Sequence, residues 1–280
     1  IPEVCADMAK EMGEGKYYAD LNVKMAQFEL TLLDWAEAHK GARKYVAFAD
    51  KCWPAFPSQF GFEPCYVNSR LVSRGIPVSC EVDIYGALSE YIGLCISNDA
   101  VTLLDINNSV PKDMYKESIE GKFDYTLKDT FMGFHCGNTP ACKMCDSRAV
   151  KYQLIQHRLL EPAGSEPDFT RGTLEGDIAA SDITFYRLQC NSEGELVSYV
   201  AEGEVLDVPT RSFGGIGIFA IKEMGRFYRH VLVEKNYPHH GAVAFGHFGK
   251  ALFEVFKYIG VPVEEIVEAI KYGVRKVNID

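Results

Sequence analysis

The chain has 280 residues, of which 47% are apolar and 24% charged, and its formal net charge is −10. These fractions are typical of a globular protein with a sizeable core, and the acidic balance, without a run of Lys and Arg, argues against nucleic acid as a partner. No stretch approaches the ~18 consecutive apolar residues of a membrane span, and the N-terminus lacks the pattern of a secretory signal, so no membrane partner is expected.

The first elements alternate between helices and short strands. Apolar residues at helical spacing predict a helix from Asn22 to His39, which Gly41 ends. Tyr45–Ala49 is typical of a strand. Cys65–Val67 fits either a short strand or the start of a helix, and its periodicity does not decide between them.

Two short apolar runs, Ile76–Cys80 and Ala100–Leu104, flank a helical stretch from Ile84 to Ile96. In a strand–helix–strand unit the two strands run parallel, and their C-terminal ends open on the same side of the sheet, where ligands bind. The runs are followed by Glu81 and Asp105. Two carboxylates delivered to one place can share a metal ion or divide proton-transfer work.

A purely structural role for acids at strand ends stays open. Such acids often cap the next helix, and Asp83 could do so for the helix that begins at Ile84. Glu81 is one residue too early and too long for that role.

The second half of the chain is rich in β-type segments. Phe131–Cys145 has many Gly, Cys and polar residues and is typical of a ligand-bearing loop. Between Leu174 and Val208, short runs separated by turn signals predict an antiparallel meander, a barrel or a sandwich. The runs are Asp182–Leu188, Leu196–Val200 and Glu204–Val208. An amphipathic helix from His247 to Ile259 closes this part.

These elements predict an α/β fold followed by a β-rich domain. We expect residues 1–98 to form part of a Rossmann-like, doubly wound parallel sheet. Residues 99–280 are expected to form an antiparallel, β-barrel-like C-terminal domain with terminal helices.

The nine cysteines are an odd number spread over the whole chain, which is typical of a reduced, cytoplasmic protein. Cys142 and Cys145 form a C-x-x-C pair that Cys136 and His135 could complete as a zinc site. Structural zinc usually joins two such pairs, and the chain has only one. Free thiols in a substrate loop are therefore the favoured interpretation, and zinc is an alternative.

Three of the seven histidines fall between Pro238 and His247. Adjacent histidines point in different directions, so we expect only one of His239 and His240 to bind a metal. One imidazole with two carboxylates suits a divalent ion such as Mn²⁺ and leaves positions for substrate oxygens. Catalytic zinc is less natural, because its ligand sets favour His and Cys.

Four segments together resemble the L-fucose isomerase / L-arabinose isomerase family. They are Glu81–Leu88 with an E-x-D-x-x-G pattern, Leu104–Asn107, Gly133–Thr139 and His239–Gly249 with H-G-A-x-x-F-G-H-x-G. Asp105 follows Glu81 by 24 residues, which matches the family spacing, and the resemblance extends over roughly residues 44 to 263.

The resemblance implies that Glu81, Asp105 and His240 hold one Mn²⁺. It also implies an aldose–ketose interconversion through a cis-enediol, in which Glu81 and Asp105 exchange protons with the sugar. Substrate contacts are implied at Lys51, Thr139 and His239, where L-fucose isomerase has Gln, Ser and Asn. These differences concern the choice of sugar more than the type of reaction.

Family members are about twice as long as this chain, which resembles their C-terminal part. The resemblance implies a homo-oligomer, and we expect an N-terminal segment or a separate chain to supply the remainder, unless the protein is a shortened relative. A sugar- or metal-binding relative without turnover is the main alternative to the isomerase, and the zinc protein based on Cys136, Cys142 and Cys145 is a further one.

Overall fold

The computed structural model describes residues 1–265. The helices in this range are α1 (Pro2–Met12), α2 (Asn22–His39), α3 (Ala55–Phe60), α4 (Cys65–Ser73), α5 (Ile84–Ser97), α6 (Lys112–Ser118), α7 (Leu154–Leu160), α8 (Met224–Phe227) and α9 (Gly249–Tyr258). The strands are β1 (Phe48–Ala49), β2 (Val78–Ser79), β3 (Val101–Ser109), β4 (Thr130–His135), β5 (Ala149–Tyr152), β6 (Arg171–Asp177), β7 (Ser181–Cys190), β8 (Leu196–Leu206), β9 (Gly215–Ala220), β10 (His240–Phe245) and β11 (Val263–Glu265). Residues 266–280 of the predicted C-terminal domain lie outside the described residues.

The N-terminal part is mainly helical. The predicted helix from Asn22 to His39 is confirmed as α2, and the undecided segment at Cys65 proves to be the start of α4. The two predicted strands before residue 80 shorten to β1 and β2, which pair parallel, with Phe48 opposite Val78. Within residues 1–265, no helix is both long enough and apolar enough to span a membrane.

One large sheet dominates the rest of the molecule, with strand order β11-β8-β7-β10-β3-β4-β9-β6-β5. Most of its neighbouring strands are antiparallel, so the predicted antiparallel, β-rich part is confirmed. The end of β8 also pairs with β9 over Glu204–Leu206, which curves the sheet strongly. This contact spans only three residue pairs, and the sheet is curved rather than closed along its height as the barrel prediction would require.

The predicted parallel unit around Glu81 and Asp105 is wrong in its pairing. β2 pairs with β1, whereas β3 lies between β10 and β4 in the large sheet and is antiparallel to both. The apolar run at the start of β3 is buried on both faces. Such a run fits a parallel strand or a doubly covered antiparallel strand equally well, so the pattern could not separate them.

Other strands are longer than predicted. The runs Leu196–Val200 and Glu204–Val208 belong mostly to the single strand β8, which pairs with β7 over ten residue pairs. The predicted loop Phe131–Cys145 begins inside β4. The terminal helix starts at Gly249 rather than at His247.

Side chains alternate between the two faces of the sheet, and both faces are covered. Val101 and Leu103 of β3 pack in the core shared with α4, whereas Leu104 and Ile106 pack in the core of the opposite, concave face. Because side chains alternate along a strand, Asp105 continues the series of Val101 and Leu103. The same alternation puts His240 on the face of Ala242 and Ala244. Asp105 and His240 therefore lie on the face that α5 covers.

Candidate functional site

A tight turn connects β2 to α5 and presents Glu81. Glu81 and Val82 both have left-handed backbone conformations, with φ of 63° and 59°. This conformation is unfavourable for a β-branched residue such as Val82, and such strain is concentrated at functional sites. The turn is held by hydrogen bonds from Val82 N to Asp50 O at 2.7 Å and from Asp83 N to Cys80 O at 3.2 Å.

Asp83 caps α5, as the sequence predicted. Its side chain accepts a hydrogen bond of 2.8 Å from the backbone N–H of Gly86. The cap fixes the first turn of the helix, so the position of Glu81, two residues earlier, depends on it.

His240 and Asp105 are brought together by strand register. His240, the first residue of β10, lies directly opposite Asp105 of β3 in the antiparallel ladder. Opposite residues in such a ladder have their Cβ atoms ~5 Å apart and their side chains on one face. His240 Nε2 lies 3.0 Å from Asp105 Oδ1, and 3.7 Å from Glu81 Oε2.

Two further histidines lie beside this pair. His239 Nε2 is 3.7 Å from Asp105 Oδ1, and the ring of His135 lies with its centroid 5.8 Å from that of His240. We call Glu81, Asp105, His135, His239 and His240 the candidate site. Two sets of three residues in it each offer ligand atoms within 4.8 Å of one another. The sets are Glu81 with His135 and His240, and Asp105 with His239 and His240.

The donor atoms fit a divalent cation. Asp105 Oδ1 and His240 Nε2 are both buried, and neither has a hydrogen-bond partner among residues 1–265. They lie 3.0 Å apart without the alignment of a donor and an acceptor. Ligand atoms ~2.1 Å from an octahedral ion are separated by about 3 Å, so this spacing is that of two neighbouring ligands.

The second nitrogen of His240 is held by Asp83. His240 Nδ1 is 3.0 Å from Asp83 Oδ2, and Arg187 of β7 makes a bidentate pair with the same carboxylate. Burial favours protonation of Asp83, but His240 and Arg187 hold the pKa of this carboxyl well below its usual range. Because an ionised carboxylate only accepts hydrogen bonds, Nδ1 of His240 carries a proton and Nε2 faces the candidate site.

The charges within the site favour ionised carboxylates. Burial would lower the pKa of His240, but Asp105 and Asp83 raise it to about 9. Burial would raise the pKa of Asp105, but the contact with His240 lowers it. Burial also lowers the pKa of His135, whose Nδ1 accepts a 2.9 Å hydrogen bond from the N–H of Cys136. His135 is therefore a neutral imidazole that carries its proton on Nε2.

The predicted substrate contacts are placed differently from one another. His239 is exposed over 59% of its side chain beside Asp105, so it stands at the rim of the site. Thr139 is fully buried, with its hydroxyl 3.1 Å from that of Thr102. Lys51 is exposed in the loop after β1 and makes no ion pair with the described residues. Of these three residues, only His239 contacts the metal-ligand candidates.

The structure gives the zinc alternative no support. Within residues 1–265, neither set of close ligand atoms includes a cysteine. Cys142 is exposed, whereas Cys136 accepts a 3.3 Å hydrogen bond from Gln153 Nε2. All nine cysteines are free thiols.

Sequence reasoning missed two members of this region. His135 was considered only as a zinc ligand, although it stands in the G-F-H-C-G-N-T segment of the family resemblance. Arg187 was not singled out. A charged residue between Phe185 and Leu188, inside a largely apolar strand, was the available signal, because a buried arginine needs an acidic partner.

Comparison with known proteins relates the chain to sugar isomerases. Residues 133–267 match the family model for the L-fucose isomerase C-terminal domain. The chain is also 25% identical over 271 residues to a sulfoquinovose isomerase of Alkalicoccus urumqiensis. These matches support the L-fucose isomerase family, with this chain similar to its C-terminal part. The family resemblance found in the sequence is thereby confirmed.

The match to these family relatives extends over most of this chain but only part of each relative. It covers 92% of this chain and 55% of the Alkalicoccus protein. For the sulfoquinovose isomerase of Priestia aryabhattai, 24% identical, the shares are 87% and 48%. The chain thus spans about half the length of the curated relatives it matches. A stretch of 27 residues is 78% identical to fructose-bisphosphate aldolase of Stutzerimonas stutzeri, but covers only 8% of that enzyme.

Proposed function

We propose that the chain carries the catalytic metal site of an aldose–ketose isomerase. The observation that carries the proposal is that His240 Nε2 lies 3.0 Å from Asp105 Oδ1 and 3.7 Å from Glu81 Oε2. The histidine nitrogen and the aspartate oxygen are buried and have no hydrogen-bond partner among residues 1–265. We propose Mn²⁺ as the metal, since an imidazole with two carboxylates leaves coordination positions for sugar oxygens. Bound there, Mn²⁺ would polarise the sugar carbonyl and stabilise developing negative charge.

In the proposed reaction the two carboxylates carry protons. One removes the proton from carbon and the other moves the proton bound to oxygen. Glu81 is exposed over 52% of its side chain and can reach a bound sugar, whereas Asp105 is largely buried and its lowered pKa keeps it ionised. His135 offers an N–H, and His239 at the rim is placed to contact a sugar hydroxyl.

A sulfonated aldohexose is the first substrate to test. This choice is supported by the similar proteins, several of which are named sulfoquinovose isomerase. L-fucose and L-arabinose are the next candidates, because the family match is to L-fucose isomerase.

We also propose a homo-oligomer in the cytoplasm. Light scattering on the purified protein tests the oligomer, and the nine free thiols are consistent with a reduced compartment.

The direct test incubates the purified protein with Mn²⁺ and each of these aldoses and follows ketose formation by NMR. We expect turnover of at least one sugar. Glu81→Gln should lower kcat by about 10²- to 10⁴-fold, because the amide cannot accept a proton. Glu37→Gln is the matched control, since Glu37 is exposed on α2 and, among residues 1–265, forms an ion pair only with Lys40.

Two outcomes would contradict the proposal. Equal loss of activity in the Glu81 and Glu37 variants would remove Glu81 from the reaction. Binding of one Mn²⁺ per chain without turnover of any sugar would favour the metal-binding relative over the isomerase.

A further inference from the structure

A buried arginine lies behind the candidate site and does not face it. Arg187 of β7 is only 4% exposed, and its Nη1 and Nη2 donate hydrogen bonds of 2.7 and 2.8 Å to the two oxygens of Asp83. A bidentate fork of this kind fixes both the distance and the plane of a carboxylate.

Arg187 also contacts His240 directly, through its backbone. Nη1 donates a second hydrogen bond, of 3.2 Å, to the carbonyl oxygen of His240, while Nε donates one of 3.2 Å to Gln189 Oε1. Arg187 therefore binds the start of β10 at the residue whose ring enters the site. The guanidinium can take no other orientation while all four contacts are kept.

Asp83 transmits this constraint to the imidazole. Besides Arg187, the carboxylate accepts the Nδ1–H of His240 at 3.0 Å and the N–H of Gly86 at 2.8 Å. One carboxylate thus joins the first turn of α5, strand β7 and the ring of His240. The direction of His240 Nε2 depends on where Asp83 stands.

We propose that Arg187 is a positioning residue for the metal site, acting through Asp83 on the His240 ring. The inference rests on the proposed function, in which His240 is a metal ligand. Carboxylates that hold ligand imidazoles typically change metal affinity or activity 10- to 100-fold when removed. A buried ion pair adds little net stability of its own, so a role in geometry accounts better for the cost of burying it.

The test compares Mn²⁺ affinity in the parent and in Arg187→Met, from the electron paramagnetic resonance signal of free Mn²⁺ in the presence of protein. We expect the dissociation constant to rise about 10- to 100-fold, although Arg187 does not face the metal. The dissociation constant of Arg187→Lys should lie between those of the parent and Arg187→Met, because lysine keeps the charge but cannot make the bidentate pair. Parent-like affinity in Arg187→Met would overturn the proposal.

Arg70→Met is the matched control for loss of a buried arginine. Arg70 is 3% exposed and pairs with Asp7, Glu11 and Glu29 of α1 and α2, not with the candidate site. The Arg70→Met substitution should lower the melting temperature, but the Mn²⁺ affinity of the folded variant should stay within about threefold of the parent value. Equal weakening in both variants would show a general structural effect and overturn the positioning role.

A double variant covers the case in which Arg187→Met does not fold. Asp83→Asn combined with Arg187→Met removes both buried charges, and asparagine still caps a helix well. With residue 83 no longer held by the fork, we expect at least tenfold weaker Mn²⁺ binding. Parent-like binding would contradict the proposal.

A second readout needs no metal and separates the two proposals. In the parent, the Nδ1–H of His240, assigned in NMR spectra by its loss in His240→Gln, should exchange slowly with water. In Arg187→Met it should exchange much faster, and in Arg70→Met it should not change. If the parent binds no Mn²⁺, the metal part of the proposed function fails, and this exchange comparison still decides whether Arg187 positions the ring.

Discussion

At the scale of single residues, His239 and His240 show how neighbouring histidines occupy different environments. His240 is buried, with one nitrogen held by Asp83 and the other 3.0 Å from Asp105. His239 lies outside, 3.7 Å from the same aspartate. A ring whose second nitrogen is already held by a hydrogen bond loses little freedom on binding an ion, whereas an exposed ring must first be ordered.

This difference predicts separable effects. His240→Gln should weaken Mn²⁺ binding by more than about 100-fold, beyond the usual effect of an outer-shell change. His239→Gln should change it by less than about fivefold and act mainly on KM for the sugar. Titration calorimetry with Mn²⁺ and steady-state kinetics measure the two effects. Similar losses of affinity in both variants would show that both histidines bind the metal.

The sequence predicted the candidate ligands better than their surroundings. The Glu81-x-Asp83 pattern and the histidine pair were visible because short-range spacing carries them. The bond between Asp83 and His240 joins residues 157 positions apart, and that of Asp83 with Arg187 joins residues 104 apart. Such contacts depend on strand partners, which periodicity does not specify.

At the scale of elements, β10 decides where His240 stands. β10 lies between β3 and β7 and is antiparallel to both. Its second residue, Gly241, passes over buried aromatic rings: a Cβ there would lie 2.3 Å from Phe185 Cζ and 2.7 Å from Tyr199 Oη. Only glycine allows this approach, because both rings belong to the packed core.

Gly241→Ala is therefore expected to destabilise the fold by about 1–3 kcal/mol, the usual cost of overpacking a core. It should also weaken Mn²⁺ binding, since β10 has to shift next to His240. Gly225→Ala is the control, because a Cβ at this position of α8 meets no atom closer than 3.9 Å. Urea unfolding compares the two, and equal stabilities would show that β10 adapts without strain.

Elements were predicted well where local pattern is sufficient. Helix α2 was predicted with its observed bounds, and α5 to within one residue, because their stripes and end signals are local. The pairing of β3 was wrong, because its partner β10 lies far away in the sequence. The prediction split β8 into two runs at Ala201–Gly203, because the alternation of apolar and polar residues is interrupted there although the strand continues.

At the scale of the whole molecule, three buried carboxyl groups have raised pKa values, so the folded chain carries less negative charge than its composition implies. Glu90 of α5 is fully buried and accepts a hydrogen bond from Ser79, and burial raises its pKa to about 8. Burial also raises the pKa of Glu63 to about 8 and that of Asp50 to about 6. These groups keep their protons in the folded protein at pH values where the unfolded chain releases them.

The contribution of these three carboxyl groups to stability should therefore fall as pH rises. Between the ordinary pKa of glutamic acid, about 4.3, and the raised value near 8, the folded state binds more protons, so the contribution of Glu90 is complete below this window and lost through it. The slope is at most about 1.4 kcal/mol per pH unit for one group. Urea unfolding at several pH values should show a shallower decline in Glu90→Gln. The exposed Glu14→Gln serves as control, and identical slopes in both variants would contradict the prediction.

The pairing of His240 with Asp105 across two strands would also link the proposed metal binding to the completeness of folding. Shifting β10 by one residue would turn His240 to the opposite face, so a misregistered chain would lose its ion. Mn²⁺ present at 100 times its dissociation constant would add about 2.7 kcal/mol to the correctly registered form alone. The ion would then act as a selective folding ligand, favouring the single arrangement of the sheet in which the proposed metal site is complete.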